Sequence, residues 1–253
     1  MHDAPLSLHP TLPAAVPLVG VDGCRGGWVA AHLPAGGDVG DVRGRVAPDV
    51  ATLLAALPAD AEVAIDVPIG LPDAGPRACD AAARRALGAR RASVFAAPVR
   101  SVLAAETYPD ALARHRAADG RGLAKQAYFL LPKIREVDAL LAATPALEGR
   151  VKETHPELAF ATLAGAPLAH GKRTPEGRST RDALLEAHLP GALARVRDDL
   201  AGASGVAPDD VLDAVALLLA VARRAAGRDR VLPARAADGA PRDAVGRAME
   251  IHG

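Results

Sequence analysis

Two aspartates stand where an apolar run stops and a tight exit begins. In Val19-Gly20-Val21-Asp22-Gly23-Cys24-Arg25-Gly26-Gly27-Trp28, Asp22 closes one apolar stretch and a glycine-rich turn leads into the next. In Glu62-Val63-Ala64-Ile65-Asp66-Val67-Pro68-Ile69-Gly70, Asp66 sits just ahead of a Pro/Gly exit that stops further strand pairing. Aspartate and glycine are poor strand formers, and a carboxylate at a strand tip lies beside backbone that can approach a phosphate or a metal ion. A plain β-hairpin turn also accounts for the first of these segments; the second, set in the same way, favours chemistry. Two more segments place carboxylates comparably. Glu153 lies in Val151-Lys152-Glu153-Thr154-His155-Pro156-Glu157, a short β-prone run meeting a proline suited to the first turn of a helix over residues 157–163. Asp209, Asp210 and Asp213 open an apolar helix running from Val211 to Arg224. Carboxylates at the ends of adjacent strands and on a covering helix can converge, because ligands in open α/β sheets collect at the carboxyl ends of the strands.

Positioning these groups requires strands near residues 18–22, 27–33 and 42–46, an antiparallel meander by their short turns. Small and apolar residues at helical spacing predict a helix over 48–57, with Pro48 and Asp49 in its first turn, before a strand at 62–66. From Arg77 to Leu141 the pattern is mostly helical, interrupted at Pro98, Pro109, Gly120 to Gly122 and Pro132; it predicts a helical insertion over about residues 75–148, lying on one sheet edge. Strand, helix and loop are expected from Arg150 to Gly177, then helices near 179–187 and 208–226. The expected division is a flexible tail over 1–17, one main domain over 18–233, and a linker with a short extended segment over 234–253.

Composition narrows the partners. The chain has 253 residues, half of them hydrophobic, and a formal net charge of zero, which fits one large domain. Neutrality argues against a broad electrostatic platform for nucleic acid. Trp28, Phe95, Tyr108, Tyr128, Phe129 and Phe160 are scattered, with no periodic stacking array, so any nucleic acid is expected to be short or held by few contacts. Cys24 and Cys79 have no C-x-x-C spacing, which excludes a disulfide framework or structural zinc site and fits a cytoplasmic protein. The first sixteen residues lack the pattern of a signal peptide. No apolar run reaches the ~18 residues of a membrane span. Arg90, Arg91 and Arg100 flank Ser93 and Phe95, and Lys172, Arg173, Thr174 and Arg181 surround a glycine-containing loop. Either cluster can clamp phosphate, and either can equally be a solvated helix surface.

Six ordered blocks carry a resemblance. Gly20 to Trp28, Ile65 to Leu71, Arg90-Arg91-Ala92-Ser93-Val94-Phe95, Pro132 to Asp138, His155-Pro156-Glu157 and Asp209 to Ala214 together resemble the domain of unknown function 429 family, described as predicted nucleases of RNase H-like fold. The likeness runs from about Leu18 to the C-terminus, and its one mild departure is Ala92 in a block usually richer in serine. It implies an RNase H-like α/β fold, a mixed sheet flanked by helices, and metal-dependent hydrolysis of phosphodiester bonds in a nucleic acid or nucleotide. Such chemistry uses two divalent ions roughly 3.5–4 Å apart. Mg²⁺ or Mn²⁺ would take oxygen ligands, and Asp22, Asp66, Glu153 and Asp213 fit by residue type and setting. The resemblance has Asp22 bridging both ions, Asp66 holding one, and Asp213 or Asp210 the other; from the basic residues themselves, Arg90, Arg91, Lys133 and Lys172 are expected to face the substrate. Asp209 and Asp210 equally suit the amides and dipole of a helix N-terminus, a role that fades for Asp213 deeper in the helix. His155 fits a cap as well as a proton shuttle. The alternative function is ATP-dependent phosphotransfer of the actin-like or sugar-kinase-like kind, where a strand-tip Asp and glycine hairpin also meet phosphates. The chain lacks a Gly-x-x-x-x-Gly-Lys-Ser/Thr loop and is short for two such domains. A non-catalytic binding protein of the same fold is the remaining alternative.

Overall fold

The structure is a computed structural model that describes residues 15–237 and 239–253. The tail expected over 1–17 falls outside the described residues up to position 14. Strands β1 (Leu18–Cys24) and β2 (Gly27–Leu33) are apolar on both sides. Their alternation sends Leu18, Val29, Ala31 and Leu33 into one core and Val19, Val21, Trp28 and Ala30 into another, so the sheet is covered on both faces. With β3 (Arg43–Ala47), β4 (Glu62–Ile65) and β5 (Val151–Glu153), they form one five-stranded sheet of order β3-β2-β1-β4-β5. β1 to β3 make the antiparallel meander, and β4 and β5 run parallel to β1.

Eight helices flank this sheet among the described residues. α1 (Val50–Ala55) starts on Asp49, whose carboxylate accepts the Thr52 amide at 2.7 Å. Between β4 and β5 come α2 (Ala78–Leu87), α3 (Tyr108–Asp119) and α4 (Lys125–Ala143), and after β5 come α5 (Pro156–Ala164), α6 (Pro175–His188), α7 (Ala192–Asp199) and α8 (Pro208–Ala225). Val50 and Leu53 of α1, Ala111 of α3, and Leu131, Ile134 and Val137 of α4 fill the core on one face. α5 to α8 fill the other. The fold is mixed α/β, and no helix among the described residues is long and apolar enough to cross a membrane. Cys24 and Cys79 are free and buried.

Three expectations about the elements change. α4 runs unbroken through Pro132, which lies on its exposed side while Leu131, Ile134, Val137 and Leu141 are buried. The interruption expected at Pro109 is, by contrast, the start of α3, where its missing amide breaks no helical bond. α7 occupies a stretch for which no helix was expected. At the C-terminus residues 234–237 are exposed, but the chain beyond them folds back: β7 (Ile251–His252) pairs with β6 (Val231–Leu232), buried Asp243 accepts the Leu71 amide at 2.9 Å, and buried Arg247 is bonded to Asp138.

Candidate functional site

Gly20 sets the geometry of the site. A Cβ there would lie 2.2 Å from both the Ala214 carbonyl oxygen and the Leu218 nitrogen, so the backbone of α8 rests directly on β1 at that point. Asp22, two residues on and therefore on the same face, emerges beneath the N-terminal half of α8. Asp213 immediately precedes Ala214 and faces the same space. The parallel register pairs Val21 with Ile65, which brings Asp66 beside Asp22 just past the strand end; the Asp66 amide donates to the Val21 carbonyl at 3.1 Å. Asp22, Asp66 and Asp213 thus line one cavity of about 640 Å³, together with Arg90, Lys133 and Lys172.

Burial governs the charges of this trio. Asp22 is 8% exposed and Asp213 3%. Burial first, then repulsion from Asp213 and Asp66, holds the Asp22 carboxyl well above its usual range, against the lowering influence of Lys172. Burial pushes Asp66 up to about 7, opposed by Lys172. It pushes Asp213 up to about 6, again opposed by Lys172, whose ammonium donates to Asp213 Oδ2 at 2.6 Å. Lys172 is itself partly desolvated, which favours its neutral form, but Asp213, Asp22 and Asp66 outweigh this and raise its pKa. Three carboxylates from two strand ends and a helix therefore share one lysine. As the side chains stand, no group of three or more His, Cys, Asp or Glu among the described residues is arranged to hold a metal ion. The donor chemistry, oxygen only, suits a hard divalent cation.

Of the remaining anticipated residues, Glu153, Asp210 and Arg91 do not line this cavity, whereas His155 does. Glu153 pairs across the ladder with Ile65, on the α4 side of the sheet, one residue out of phase with the face that carries Asp22 and Asp66. Its two carboxylate oxygens each accept from Arg77 at 2.7 Å, one also accepts the Ile69 amide, and it lines a separate cavity with Arg235 and Arg247. Asp210 accepts the Ala207 amide at 2.8 Å and so serves the start of α8. Arg91 is exposed and does not line the carboxylate cavity. His155 caps α5: its Nδ1 accepts the Glu157 amide at 3.2 Å while Nε2 faces the Ser93 carbonyl at 3.3 Å. Only the neutral Nε2–H tautomer satisfies both contacts, and burial pushes the ring pKa down accordingly.

Other lining residues are not among the site candidates read from the sequence. Glu157 is 6% exposed, paired with fully buried Arg181, and 3.7 Å from Arg90 Nε; its charge adds to the repulsion on Asp213. By sequence it is an ordinary acidic residue in a first helical turn. Lys125 and Phe129 of α4 line the cavity from the side opposite α8, and no local pattern marks them. The glycine turn is used for close packing. A Cβ on Gly26 would sit 2.4 Å from the Ser204 oxygen and one on Gly27 2.1 Å from the Ala47 oxygen, while the Gly26 amide donates to Gly205. Lys133 reaches back to this turn, donating to the Gly27 carbonyl at 2.6 Å with its ammonium 4.5 Å from the centre of the Trp28 ring.

A family model described as a protein of unknown function (DUF429) matches residues 20–238. No curated protein and no solved structure matches the chain.

Proposed function

The chain belongs to the DUF429 family, and from the carboxylate cavity it carries we propose a metal-dependent nuclease of RNase H-like fold that hydrolyses phosphodiester bonds. The observation that carries this reading is the convergence of Asp22, Asp66 and Asp213, the first and last buried and Asp66 half-buried, all with raised proton affinity, on one cavity also lined by lysine and arginine. The sheet, an antiparallel meander continued by two parallel strands, is consistent with that fold. Asp22, Asp66 and Asp213 would hold Mg²⁺ or Mn²⁺, with Asp213 turning away from Lys172 to do so and Glu153 remaining with Arg77. Bound there, divalent ions supply an activated water and charge neutralisation at the leaving oxygen. Lys172, Lys133 and Arg90 hold the phosphate that is cut, and the buried floor keeps the carboxylates from being screened by bulk water.

Purified protein titrated with Mn²⁺ and Mg²⁺ tests this, with melting temperature and cleavage of labelled single strands, duplexes, hybrids and branched substrates as readouts. Metal raises the melting temperature of the wild type and does so less for Asp22→Asn, because the ion binds the folded form alone. Equal shifts in the two proteins would remove Asp22 as a ligand.

A further inference from the structure

The cavity has a second wall whose chemistry differs from its floor. Lys125, Gln126, Phe129, Leu130 and Lys133 of α4 face it at helical spacings of three and four. Phe129 is 73% exposed, in a chain where aromatic residues make up 2% of the sequence. Half of the chain's aromatic side chains, Trp28, Phe95 and Phe129, line this one cavity. Trp28 is fully buried and committed, its Nε1 donating to Glu136 at 2.6 Å, whereas Phe129 is presented to solvent. It is braced from one side by Tyr128, whose ring centre lies 5.8 Å away and which rests edge-on against Tyr108 at 5.3 Å. The chain contains only four lysines among its 30 basic residues, and Lys125, Lys133 and Lys172 all line the cavity. On α4, Lys125 and Lys133 stand one turn before and one turn after Phe129, each ~6 Å from it along the helix axis.

We propose that Phe129 is a stacking platform for an unpaired base, with Lys125 and Lys133 meeting the phosphates on either side, so that the substrate enters as a single strand. This rests on the nuclease reading of the same cavity. Two features of the wall favour it. An aromatic face is sequence-tolerant, since every base has a π-surface to lay on it, and lysines provide point charges for a backbone that tracks past. In a duplex each base is already stacked between its neighbours, so Phe129 would have no free base face to cover. A cavity of about 640 Å³ is also of a size that encloses a nucleotide.

The test is binding, separated from cleavage. A fluorescein-labelled strand of twelve thymidines, the same length of duplex, and thymidine monophosphate as competitor are measured by anisotropy with the full chain, in EDTA and in Ca²⁺. The wild type binds the strand more tightly than the duplex, and the monophosphate competes only at far higher concentration. Phe129→Ala weakens strand binding about tenfold or more, within the range for loss of one stacked base; Phe129→Trp retains it. The melting temperature of Phe129→Ala stays at the wild-type value, because the side chain is exposed. Lys125→Ala lowers the slope of log affinity against log salt by about one. Strand binding that ignores Phe129→Ala, equal affinity for strand and duplex, or no strand binding by the wild type would overturn the proposal. So would a monophosphate as tight as the strand, or a melting or size-exclusion shift showing that Phe129 docks a second protein chain. The two readings fail separately: if the carboxylates bind no metal, Mn²⁺ leaves the melting temperature unmoved while the Phe129 effect persists, and if stacking is absent the Mn²⁺ shift persists without it.

Discussion

The ammonium of Lys172, 2.6 Å from Asp213, stands where a divalent ion would compete for the same oxygens. Removing it in Lys172→Met leaves buried carboxylates facing one another with less opposing charge, so the metal-free protein loses stability. The side chain is 39% exposed, and solvent screening limits the loss to about 1 kcal/mol, roughly 2–4 °C for a domain of this size. The same change frees Asp213, and the Mn²⁺-induced rise in melting temperature grows, by an amount equivalent to about tenfold tighter binding, or ~1.4 kcal/mol at saturation. Thermal melts in EDTA and in graded Mn²⁺ check both signs; an unchanged Mn²⁺ response makes Lys172 a structural partner and not a competitor. At this scale, Asp22, Asp66 and Asp213 were legible because an acidic residue inside or at the tip of an apolar run is a local signal. Glu153 looks the same in the sequence. Its face depends on phase relative to Ile65, and a shift of one residue along a strand sends a side chain to the other side of the sheet. Lys125 and Phe129 leave no signal because their position depends on how α4 packs across the cavity, not on their neighbours in the chain.

Between elements, the contact that matters most to the site is α8 on β1 at Gly20. Gly20→Ala forces a methyl group into the α8 backbone at 2.2 Å, which no side-chain rotation relieves. The expected cost is at the upper end of overpacking, about 3 kcal/mol, and since α8 must shift, Asp213 moves relative to Asp22 and the Mn²⁺ response falls with it. Gly122→Ala is the control, because a Cβ there meets nothing within 4 Å and the backbone is not left-handed; its melting temperature stays within about a degree of wild type. Should Gly20→Ala melt like that control, α8 does not rest on β1 at this glycine. The meander and α8 were legible from alternation and from an unbroken apolar helical run. α4 was not: a helix-interior proline costs about 3 kcal/mol, enough to argue for a break. Burial of Leu131, Ile134, Val137 and Leu141 on the opposite face offsets it, and that face is invisible until the sheet is in place.

Across the whole molecule, the C-terminal residues tie the two sides of the fold together. β7 pairs with β6, Thr154 bridges to His252 beside β5, and Arg247 and Asp243 reach Asp138 and Arg100 in the helical segment between β4 and β5. The sequence suggests a linker over residues 234–242, where small and charged residues predominate, and the chain beyond it is held down by a set of long-range ion pairs. His252 is the titratable centre of that set, its Nδ1 2.6 Å from Asp229 Oδ2 and its Nε2 3.2 Å from Glu250 Oε1, while Arg235 pairs with Glu250 at 2.7 Å and Lys152 adds a positive charge near Glu250. Burial alone would lower the His252 pKa, but the hydrogen bonds to Asp229 and Glu250 and their charges outweigh it and raise it above 6.5. Glu250 is held down at about 2 by its hydrogen bond to His252, against burial and with help from Arg235. The signs differ. The His252 contribution is fully present below pH ~6.5 and is lost as pH rises through its higher folded value; the Glu250 contribution is present above pH ~4.5 and is lost as pH falls toward 2. The cluster therefore stabilises most between about pH 4.5 and 6.5. Asp66 and Asp213 also titrate as pH rises, but they do so alike in wild type and in His252→Gln, so the difference between the two melting curves isolates the C-terminal cluster. That difference should be largest near pH 5.5 and shrink as pH rises above 6.5 through the folded value of His252, and a difference independent of pH would mean that His252 holds the C-terminus without being charged.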